Sequence, residues 1–296
     1  MVKKYLSLVK FSHTIFALPF ALIGFFLGVM SLVNFNTPLK KVSDYMSSHW
    51  HVFMLVLLCM VFARSAAMAF NRYLDRHFDA KNPRTAIREI PSGVISARSA
   101  LWFTILMSVL FIASTWFINL LCFFLSPVAL AVVLGYSYTK RFTPLCHLVL
   151  GLGLSLAPIG AYLAVTGVFS LLPIFFSFAV IFWVSGFDII YALQDEEFDQ
   201  QNELYSIPVW LGKKKALRVS EILHVLSALA VMGAGLYGNF GVWYWFGFAV
   251  FAGMLIYQHS IVKPHDLSRV NLAFMTANGI ASVVFAVFTI ADMVLK

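Results

Sequence analysis

The stretch VFSLLPIFFSFAVIFWVSGFDIIYALQDEEFDQ, residues 168–200, passes from a long apolar run into a cluster of acids. Residues 168–190 carry one charged side chain, Asp188, and a run of about 20 apolar residues is long enough to cross a membrane. Acidic residues then crowd the segment from Asp195 to Asp199. Ionisable groups at membrane depth are costly and usually functional. The stretch therefore predicts a membrane-spanning helix whose end carries functional carboxylates.

The whole chain shares this apolar character. Of its 296 residues, 61% are hydrophobic and 11% are charged, whereas soluble domains have roughly 45–50% apolar and about 25% charged residues. So few charges cannot cover a water-exposed surface, which excludes a soluble globular protein. We therefore predict an all-α integral membrane protein that forms a single domain over residues 1–296.

Nine segments are apolar and long enough to be transmembrane helices, and we expect them to surround a central cavity. Their approximate bounds are 14–34, 50–71, 100–119, 120–138, 146–166, 168–190, 216–237, 240–258 and 270–293. The second and sixth segments end in similar acidic motifs. This similarity predicts two repeat units of about four spans in parallel orientation, residues 14–138 and 146–258, followed by the ninth helix.

The lysine and arginine residues predict the orientation. With the N-terminus in the cytoplasm, 17 of the 21 lie in cytoplasmic segments, three lie outside, and Arg64 lies within a span. Because cytoplasmic loops are enriched in lysine and arginine, this bias predicts a cytoplasmic N-terminus and cytoplasmic positions for the two long polar connections, 71–99 and 191–215. The bias also accounts for the net charge of +8 without a nucleic-acid partner.

The two acidic clusters share one spacing. Residues at i, i+4 and i+8 fall on one face of a helix. The two sets with this spacing are Asn71, Asp75 and Asp79, and Tyr191, Asp195 and Asp199. Asp188 lies seven residues before Asp195, so we expect it on the same face and deeper in the membrane.

Aspartates paired on a helix face suit a hard divalent cation. Magnesium prefers one or two carboxylates together with water and phosphate oxygens. Two such helix ends that face each other therefore predict a Mg²⁺ site that an anionic diphosphate completes. Basic residues near these ends would share the diphosphate charge; they are Arg72, Arg84, Arg88, Lys140 and Arg141. Ordinary solvated helix ends would explain one cluster but not two matched clusters in an acid-poor chain.

Two motifs carry a resemblance to a known family. The first is N-x-x-x-D-x-x-x-D at 71–79, followed by R-T at 84–85 and P-S-G at 91–93. The second is D-x-x-Y-A-x-Q-D-x-x-x-D at 188–199. Together they resemble the two aspartate-rich motifs of the UbiA family of intramembrane aromatic prenyltransferases.

Further stretches extend the resemblance over most of the chain. YSYTKR at 136–141 and GLGLSLAPIGAY at 151–162 are similar to other family segments. KFSHTIFALPF at 10–20 is similar to a bacterial branch labelled 4-hydroxybenzoate polyprenyltransferases, with relatives implicated in menaquinone formation. The chain departs from the family pattern at Arg72, where aspartate is common, and at Ser137, where proline is common.

The resemblance implies Mg²⁺-dependent transfer of a polyprenyl group from its diphosphate to an aromatic carboxylate, either 4-hydroxybenzoate or a dihydroxynaphthoate. It implies Mg²⁺ ligands at Asp75, Asp79, Asp195 and Asp199, with Asp75 and Asp195 also counted as catalytic. Asp188 is expected to orient or deprotonate the phenol of the acceptor. The residues expected to bind substrates are Asn71, Arg72, Arg64, Tyr136, Lys140, Arg141 and Tyr191.

Two positions keep alternative interpretations. Arg64 lies seven residues before Asn71 on the same face, so it could bind the acceptor carboxylate or pair with Asp188. His13 could line the cavity or pack in the core. We expect a multi-pass protein of a bacterial inner membrane whose active site faces the cytoplasm. No obligate protein partner is expected.

Two alternative functions stay open at this point. The same fold could use another acceptor, namely haem, chlorophyllide or a glycerol lipid. The intramembrane acids could also form the ion path of a cation transporter, although transporters place such groups near the midplane. Here the acids cluster at one face beside basic residues, which favours an anionic phosphate ester as the ligand.

Overall fold

The computed structural model describes residues 2–9, 16–32 and 37–296. His13 lies outside these ranges. Within them the helices are α1 (Val2–Leu8), α2 (Leu18–Ser31), α3 (Pro38–Lys81), α4 (Ala97–Trp116), α5 (Leu120–Thr139), α6 (Cys146–Thr166), α7 (Leu171–Ala192), α8 (Glu196–Gln201), α9 (Ile207–Tyr237), α10 (Val242–Ile261) and α11 (Asn278–Leu295). A 3₁₀ turn (Leu193–Asp195) joins α7 to α8, and a π-helical turn (Leu272–Ala277) leads into α11.

The predicted all-α membrane architecture is confirmed. The first eight predicted segments coincide with α2 to α7, α9 and α10. The ninth coincides with the π turn and α11 taken together. In the described ranges, seven helices are long and apolar enough to cross a membrane, and α2 is a shorter apolar helix of 14 residues. The number of spans, the orientation of the N-terminus and the two repeat units stay predictions.

The first acidic motif stands near the end of a very long helix. α3 has 44 residues, begins with Pro38 in its first turn and kinks at His49, whose backbone is not helical. The part after the kink rises about 48 Å at 1.5 Å per residue, which exceeds the roughly 30 Å of a bilayer hydrocarbon core. Asp75 and Asp79, near the end of α3, therefore lie where this helix leaves the apolar layer.

The second acidic motif is not one continuous helix. α7 ends at Ala192, Asp195 closes the 3₁₀ turn, and Asp199 lies in the short α8. Asp195 has φ −105° and ψ 2°, in the sparsely populated region where many active-site residues are found. The predicted single helical face from Tyr191 to Asp199 is therefore corrected, because the tighter 3₁₀ turn changes the direction of the chain between the two aspartates.

α7 lies at the centre of the bundle. It packs against α6 and α9, and its Phe176 and Trp183 side chains are completely buried. Gly151 of α6 faces α7 so closely that an added Cβ would stand 2.5 Å from the Ile181 carbonyl oxygen and 2.6 Å from Ser185 Oγ. Small residues at helix interfaces allow such close backbone approach. α7 is therefore held firmly, and with it the start of the second motif.

A second close backbone approach, that of α2 to α6, occurs at Gly24. A Cβ at this position would overlap the backbone carbonyl of Pro158, and a backbone cannot yield as a flexible side chain can. We expect Gly24→Ala to destabilise the protein by about 1–3 kcal/mol, seen as a lower unfolding temperature in detergent. Gly253→Ala on α10 is the matched control, since its Cβ would meet nothing within 4 Å. Equal unfolding temperatures for Gly24→Ala and wild type would contradict the contact.

Candidate active site

Both aspartates of the first motif are paired with arginine. Arg141, which follows α5, donates from Nη2 to Asp75 Oδ1 at 2.8 Å. Asn71 Nδ2 donates to the other oxygen of Asp75 at 2.9 Å, one helical turn away. Arg88, in the connection after α3, lies with Nη1 2.6 Å from Asp79 Oδ1. The end of α3 is therefore surrounded by basic side chains from two connections.

Both aspartates of the second motif are also paired with basic residues. Arg84 forms a fork-like contact with both oxygens of Asp195, and Asn82 Nδ2 donates to Asp195 Oδ1 at 3.2 Å. Lys140 Nζ lies 2.8 Å from Asp199 Oδ2. Since Asn82 and Arg84 belong to the connection after α3, the first motif's own connection reaches across to the second motif.

Lys140 and Arg141 bring the two motifs to one place. These consecutive residues bind different motifs, because Lys140 contacts Asp199 and Arg141 contacts Asp75. The backbone N–H of Tyr205 donates to the Lys140 carbonyl oxygen at 2.8 Å, which ties this turn to the segment after α8. The structure therefore places the carboxylates of both motifs at the same end of the bundle.

The basic residues of the cluster are held as cations. Burial alone would lower the pKa of the Arg84 guanidinium. The charge of Asp195, together with the hydrogen bonds that Arg84 makes to Asp195 and Tyr191, raises that pKa above its usual value. Burial likewise lowers the pKa of Lys140, and the charge and hydrogen bond of Asp199 more than offset it, so that this pKa is also raised. Both side chains are therefore positively charged at neutral pH.

Tyr191 supports the position of Arg84. Arg84 Nη1 donates to the Tyr191 hydroxyl at 2.9 Å, and the guanidinium carbon lies 5.2 Å from the centre of the ring. The ring also packs against Phe274 of the π turn, with ring centres 4.3 Å apart. Asn278 Nδ2 donates to carbonyl oxygens of this turn, which stabilises its irregular backbone. Tyr191 therefore orients a basic side chain, a role compatible with the predicted binding of diphosphate.

A cavity of about 380 Å³ lies among α3, α4, α5 and α6. Its walls are almost entirely apolar, and Arg64 is the one charged residue among the described residues that line it. Arg64 Nε is buried and has no hydrogen-bond partner in the described part of the chain. Tyr136 also lines the cavity and lies near enough to Asp75 and Asp188 to interact with their charges. The cavity therefore runs from an apolar interior towards the acidic motifs.

Asp188 pairs with His147, and not with Arg64. His147 Nδ1 lies 2.7 Å from Asp188 Oδ2, and the His147 side chain is buried at the start of α6. The expected pairing of Arg64 with Asp188 is therefore not what the structure shows. Sequence reasoning missed His147 and also Asn82. An ionisable residue at the start of an apolar span was the available signal for His147; Asn82 had none.

The residues present fit a Mg²⁺ ion that arrives with phosphate. Across residues 2–9, 16–32 and 37–296, no three carboxylate, histidine or cysteine side chains converge enough to hold a metal by themselves. Magnesium needs only one or two carboxylates when phosphate and water supply the other oxygens. Asp79 Oδ2 is buried and accepts no hydrogen bond from the described residues, and Arg72 Nη1 lies 4.0 Å from it. Such an oxygen is available as a ligand.

Comparison with known proteins agrees with this geometry. The sequence profile of the UbiA prenyltransferase family matches residues 42–280. A relative named 4-hydroxybenzoate octaprenyltransferase from Aliivibrio fischeri strain MJ11 is 32% identical over 238 residues, covering 80% of this chain and 82% of the relative. A protein of the same name from Nitrosospira multiformis is 29% identical over 235 residues, or 79% of this chain and 81% of the relative. The chain belongs to the UbiA prenyltransferase family.

Solved structures show the same fold. The apo structure of a UbiA homologue from Aeropyrum pernix K1 has a TM-score of 0.78 and 29% identity, covering 96% of this chain and 97% of the homologue. A homologue from Archaeoglobus fulgidus, solved with GPP and Mg²⁺, has a TM-score of 0.71 and 23% identity, covering 99% and 100% of the two chains. The protein is thus a multi-pass membrane enzyme, an aromatic prenyltransferase.

Proposed function

We propose that this enzyme transfers a polyprenyl group from its diphosphate to an aromatic carboxylate, either 4-hydroxybenzoate or a dihydroxynaphthoate, on a quinone-biosynthesis pathway. One observation carries the proposal. The acidic and basic cluster lies next to an apolar cavity with one guanidinium among its described lining residues, that of Arg64, whose Nε has no hydrogen-bond partner within the described ranges. This arrangement provides separate places for a diphosphate, a prenyl chain and a carboxylate. The relatives named 4-hydroxybenzoate octaprenyltransferase support the same assignment.

The cluster binds the diphosphate end of the donor. Asp75, Asp79, Asp195 and Asp199 would hold Mg²⁺, which when bound stabilises the negative charge that grows on the leaving diphosphate. The basic residues now paired with these aspartates would turn to the phosphate oxygens, since guanidinium groups bind phosphate through paired hydrogen bonds. They are Arg84, Arg88, Lys140 and Arg141. Binding of Mg²⁺ and a prenyl diphosphate by an Archaeoglobus fulgidus homologue supports this assignment.

The cavity binds the prenyl chain and the acceptor. Its apolar walls exclude water, which would otherwise trap the allylic cation left when the carbon–oxygen bond breaks. Arg64 would form an ion pair with the acceptor carboxylate, because a guanidinium at membrane depth is strongly stabilised by an anionic partner. Tyr136, between Arg64 and Asp75, would hydrogen-bond a substrate oxygen. The ring carbon then attacks the allylic carbon, and Asp188 accepts the proton that the ring loses.

The alternatives predict different ligands. A glycerol lipid has no carboxylate to pair with Arg64. Haem and chlorophyllide are much larger than a small aromatic acid, so a cavity of about 380 Å³ favours the aromatic acid. A cation transporter would place its acids along a path across the membrane. Here the four motif aspartates lie at one end of the bundle with four basic partners. This cluster supports phosphate binding, and we infer that it faces the cytoplasm of a bacterial inner membrane.

Reconstituted protein and labelled prenyl diphosphate test the proposal. We expect prenylated product with 4-hydroxybenzoate or with a dihydroxynaphthoate, complete loss of product when EDTA removes divalent metal, and recovery when Mg²⁺ is restored. Benzoate derivatives that lack the phenol are the control acceptors, because their ring is not activated. Product formation with haem or a glycerol phosphate and none with either aromatic acid would overturn the proposed acceptor class. Metal flux without any prenylated product would favour a transporter.

A further inference from the structure

His147 of α6 and Asp188 of α7 form a pair, and Asp188 lies near enough to the cavity-lining Tyr136 to interact with it. His147 Nδ1 lies 2.7 Å from Asp188 Oδ2, and the histidine is 3% exposed whereas the aspartate is 25% exposed at its side chain. Oδ2 of Asp188 is therefore bound by a buried side chain. Oδ1 accepts no hydrogen bond from the described residues, and Asp188 interacts with the cavity-lining Tyr136. Within the described residues, Oδ1 is therefore left to accept a proton from a bound substrate.

The second ring nitrogen fixes the direction of this hydrogen bond. The backbone N–H of Ile207, the first residue of α9, points to His147 Nε2 at 3.4 Å. Nε2 therefore acts as the acceptor, which assigns the ring proton to Nδ1. With its proton on Nδ1, the ring donates to Asp188 Oδ2. The carboxylate is thus held in one orientation by a ring that α9 itself orients.

The pair is not needed to hold α6 against α7. Ser185 Oγ of α7 lies 3.0 Å from the His147 carbonyl oxygen of α6, and it also lies 2.6 Å from the Ile181 carbonyl oxygen within α7. Gly151 adds a close backbone approach one turn further along α6. Because these contacts already join the two helices, the imidazole of His147 is free to serve another purpose, and an apolar side chain would fill its place without the cost of burying a polar ring.

We propose that His147 is a positioning residue for proton removal from the aromatic acceptor, acting through Asp188. The inference rests on the proposed function. In the reaction the allylic carbon–oxygen bond breaks with its electron pair going to the diphosphate, and a carbon–carbon bond forms to the ring. The ring carbon–hydrogen bond then breaks, its electron pair restores aromaticity, and the proton goes to Asp188 Oδ1. His147 holds Oδ1 in the direction of that proton.

Isotopic substitution of the acceptor separates this role from a structural one. With an acceptor deuterated at the ring carbon that is prenylated, the wild-type rate should be nearly unchanged, provided that ionisation of the donor limits it. In His147→Leu, proton removal should become slow. We expect kcat to fall by about tenfold to a hundredfold, as for loss of one charge-assisted hydrogen bond, and a primary isotope effect on kcat to appear. The KM for prenyl diphosphate should not change.

Two further variants complete the design. His147→Asn places an amide N–H close to the Nδ1 position, so it should recover most of the rate and remove the isotope effect. Ser185→Ala removes the neighbouring hydrogen bond between α6 and α7 and leaves the pair intact, so it should show wild-type kinetics even if its unfolding temperature falls. If His147→Leu does not fold, His147→Ala takes its place. Its kcat and isotope effect are then compared with those of His147→Asn and Ser185→Ala.

Each outcome separates the two hypotheses. A wild-type protein without prenyl transfer to any aromatic acid would overturn both the proposed function and the inference. Transfer by wild type together with an unchanged rate in His147→Leu would overturn the inference alone. A slow His147→Leu without an isotope effect, or an equal loss in Ser185→Ala, would show that the histidine is only structural, and this also overturns the inference.

Discussion

Asp75→Ala or Asp195→Ala should reduce prenyl transfer by at least about a thousandfold. Each substitution removes a predicted Mg²⁺ ligand and frees a basic side chain, Arg141 or Arg84, that the aspartate now holds. The metal and the basic residues act on the same leaving group, so the loss falls on the chemical step. Transfer rates in reconstituted vesicles measure it, and Mg²⁺-dependent binding of a non-reactive diphosphate analogue should weaken in parallel.

Glu197→Ala is the matched control for these variants. Glu197 lies between the second-motif aspartates, but its side chain is 87% exposed and its nearest basic contact is 3.9 Å away. We expect wild-type transfer from this variant, because an exposed acid contributes little. Wild-type transfer from Asp75→Ala or Asp195→Ala, in protein that inserts normally, would refute the metal role of the motifs.

Arg64→Leu should raise the KM for the aromatic acid by about a hundredfold or more and leave the KM for prenyl diphosphate nearly unchanged. An ion pair in a buried site is worth about 3–5 kcal/mol when one partner is removed, and each 1.4 kcal/mol is tenfold. The variant should also lose its preference for an acceptor with a carboxylate over the matching carboxamide. Initial rates with the two acceptors give this ratio directly.

Met68→Leu is the control for the Arg64 variant. Met68 lines the same cavity one helical turn further along α3, and the exchange nearly conserves volume. It should leave both KM values within a few-fold of wild type. Equal loss of carboxylate and carboxamide turnover in Arg64→Leu would mean that Arg64 supports the cavity and does not bind the acceptor.

The positions of the helices and acidic motifs could be predicted because their signals are local. An apolar run long enough to span a bilayer indicates a helix wherever it occurs, and a four-residue spacing defines a face. The span predicted at 146–166 coincides with α6, and the motif residues lie at helix ends. The predicted span boundaries at 119–120 and 166–168 also agree with the structure, since Asn119 caps α5 with its side chain and Gly167 ends α6 in the left-handed region.

The partners of the acids could not be predicted, because they depend on how distant segments pack. Nothing in the sequence distinguishes Arg84 from Arg88 as the partner of Asp195, 111 residues away. His147 likewise meets Asp188 only because Gly151 lets α6 lie close to α7. The break at Asp195 was also missed, since a 3₁₀ turn has no composition signal that distinguishes it from the end of an α-helix.

The salt bridges of the four motif aspartates have a consequence for how ligands enter. Each aspartate has a basic partner in this cluster, and Arg72 lies 4.0 Å from Asp79 as a fifth positive group. A lone divalent cation would displace a basic side chain and leave it without a counter-charge in a poorly hydrated place, and a lone diphosphate would do the same to a carboxylate. A metal diphosphate carries positive and negative charge together. The aspartates can then exchange their basic partners for the metal, and the basic side chains can exchange the aspartates for phosphate oxygens. We therefore expect the enzyme to bind a metal diphosphate in preference to free phosphate or free metal.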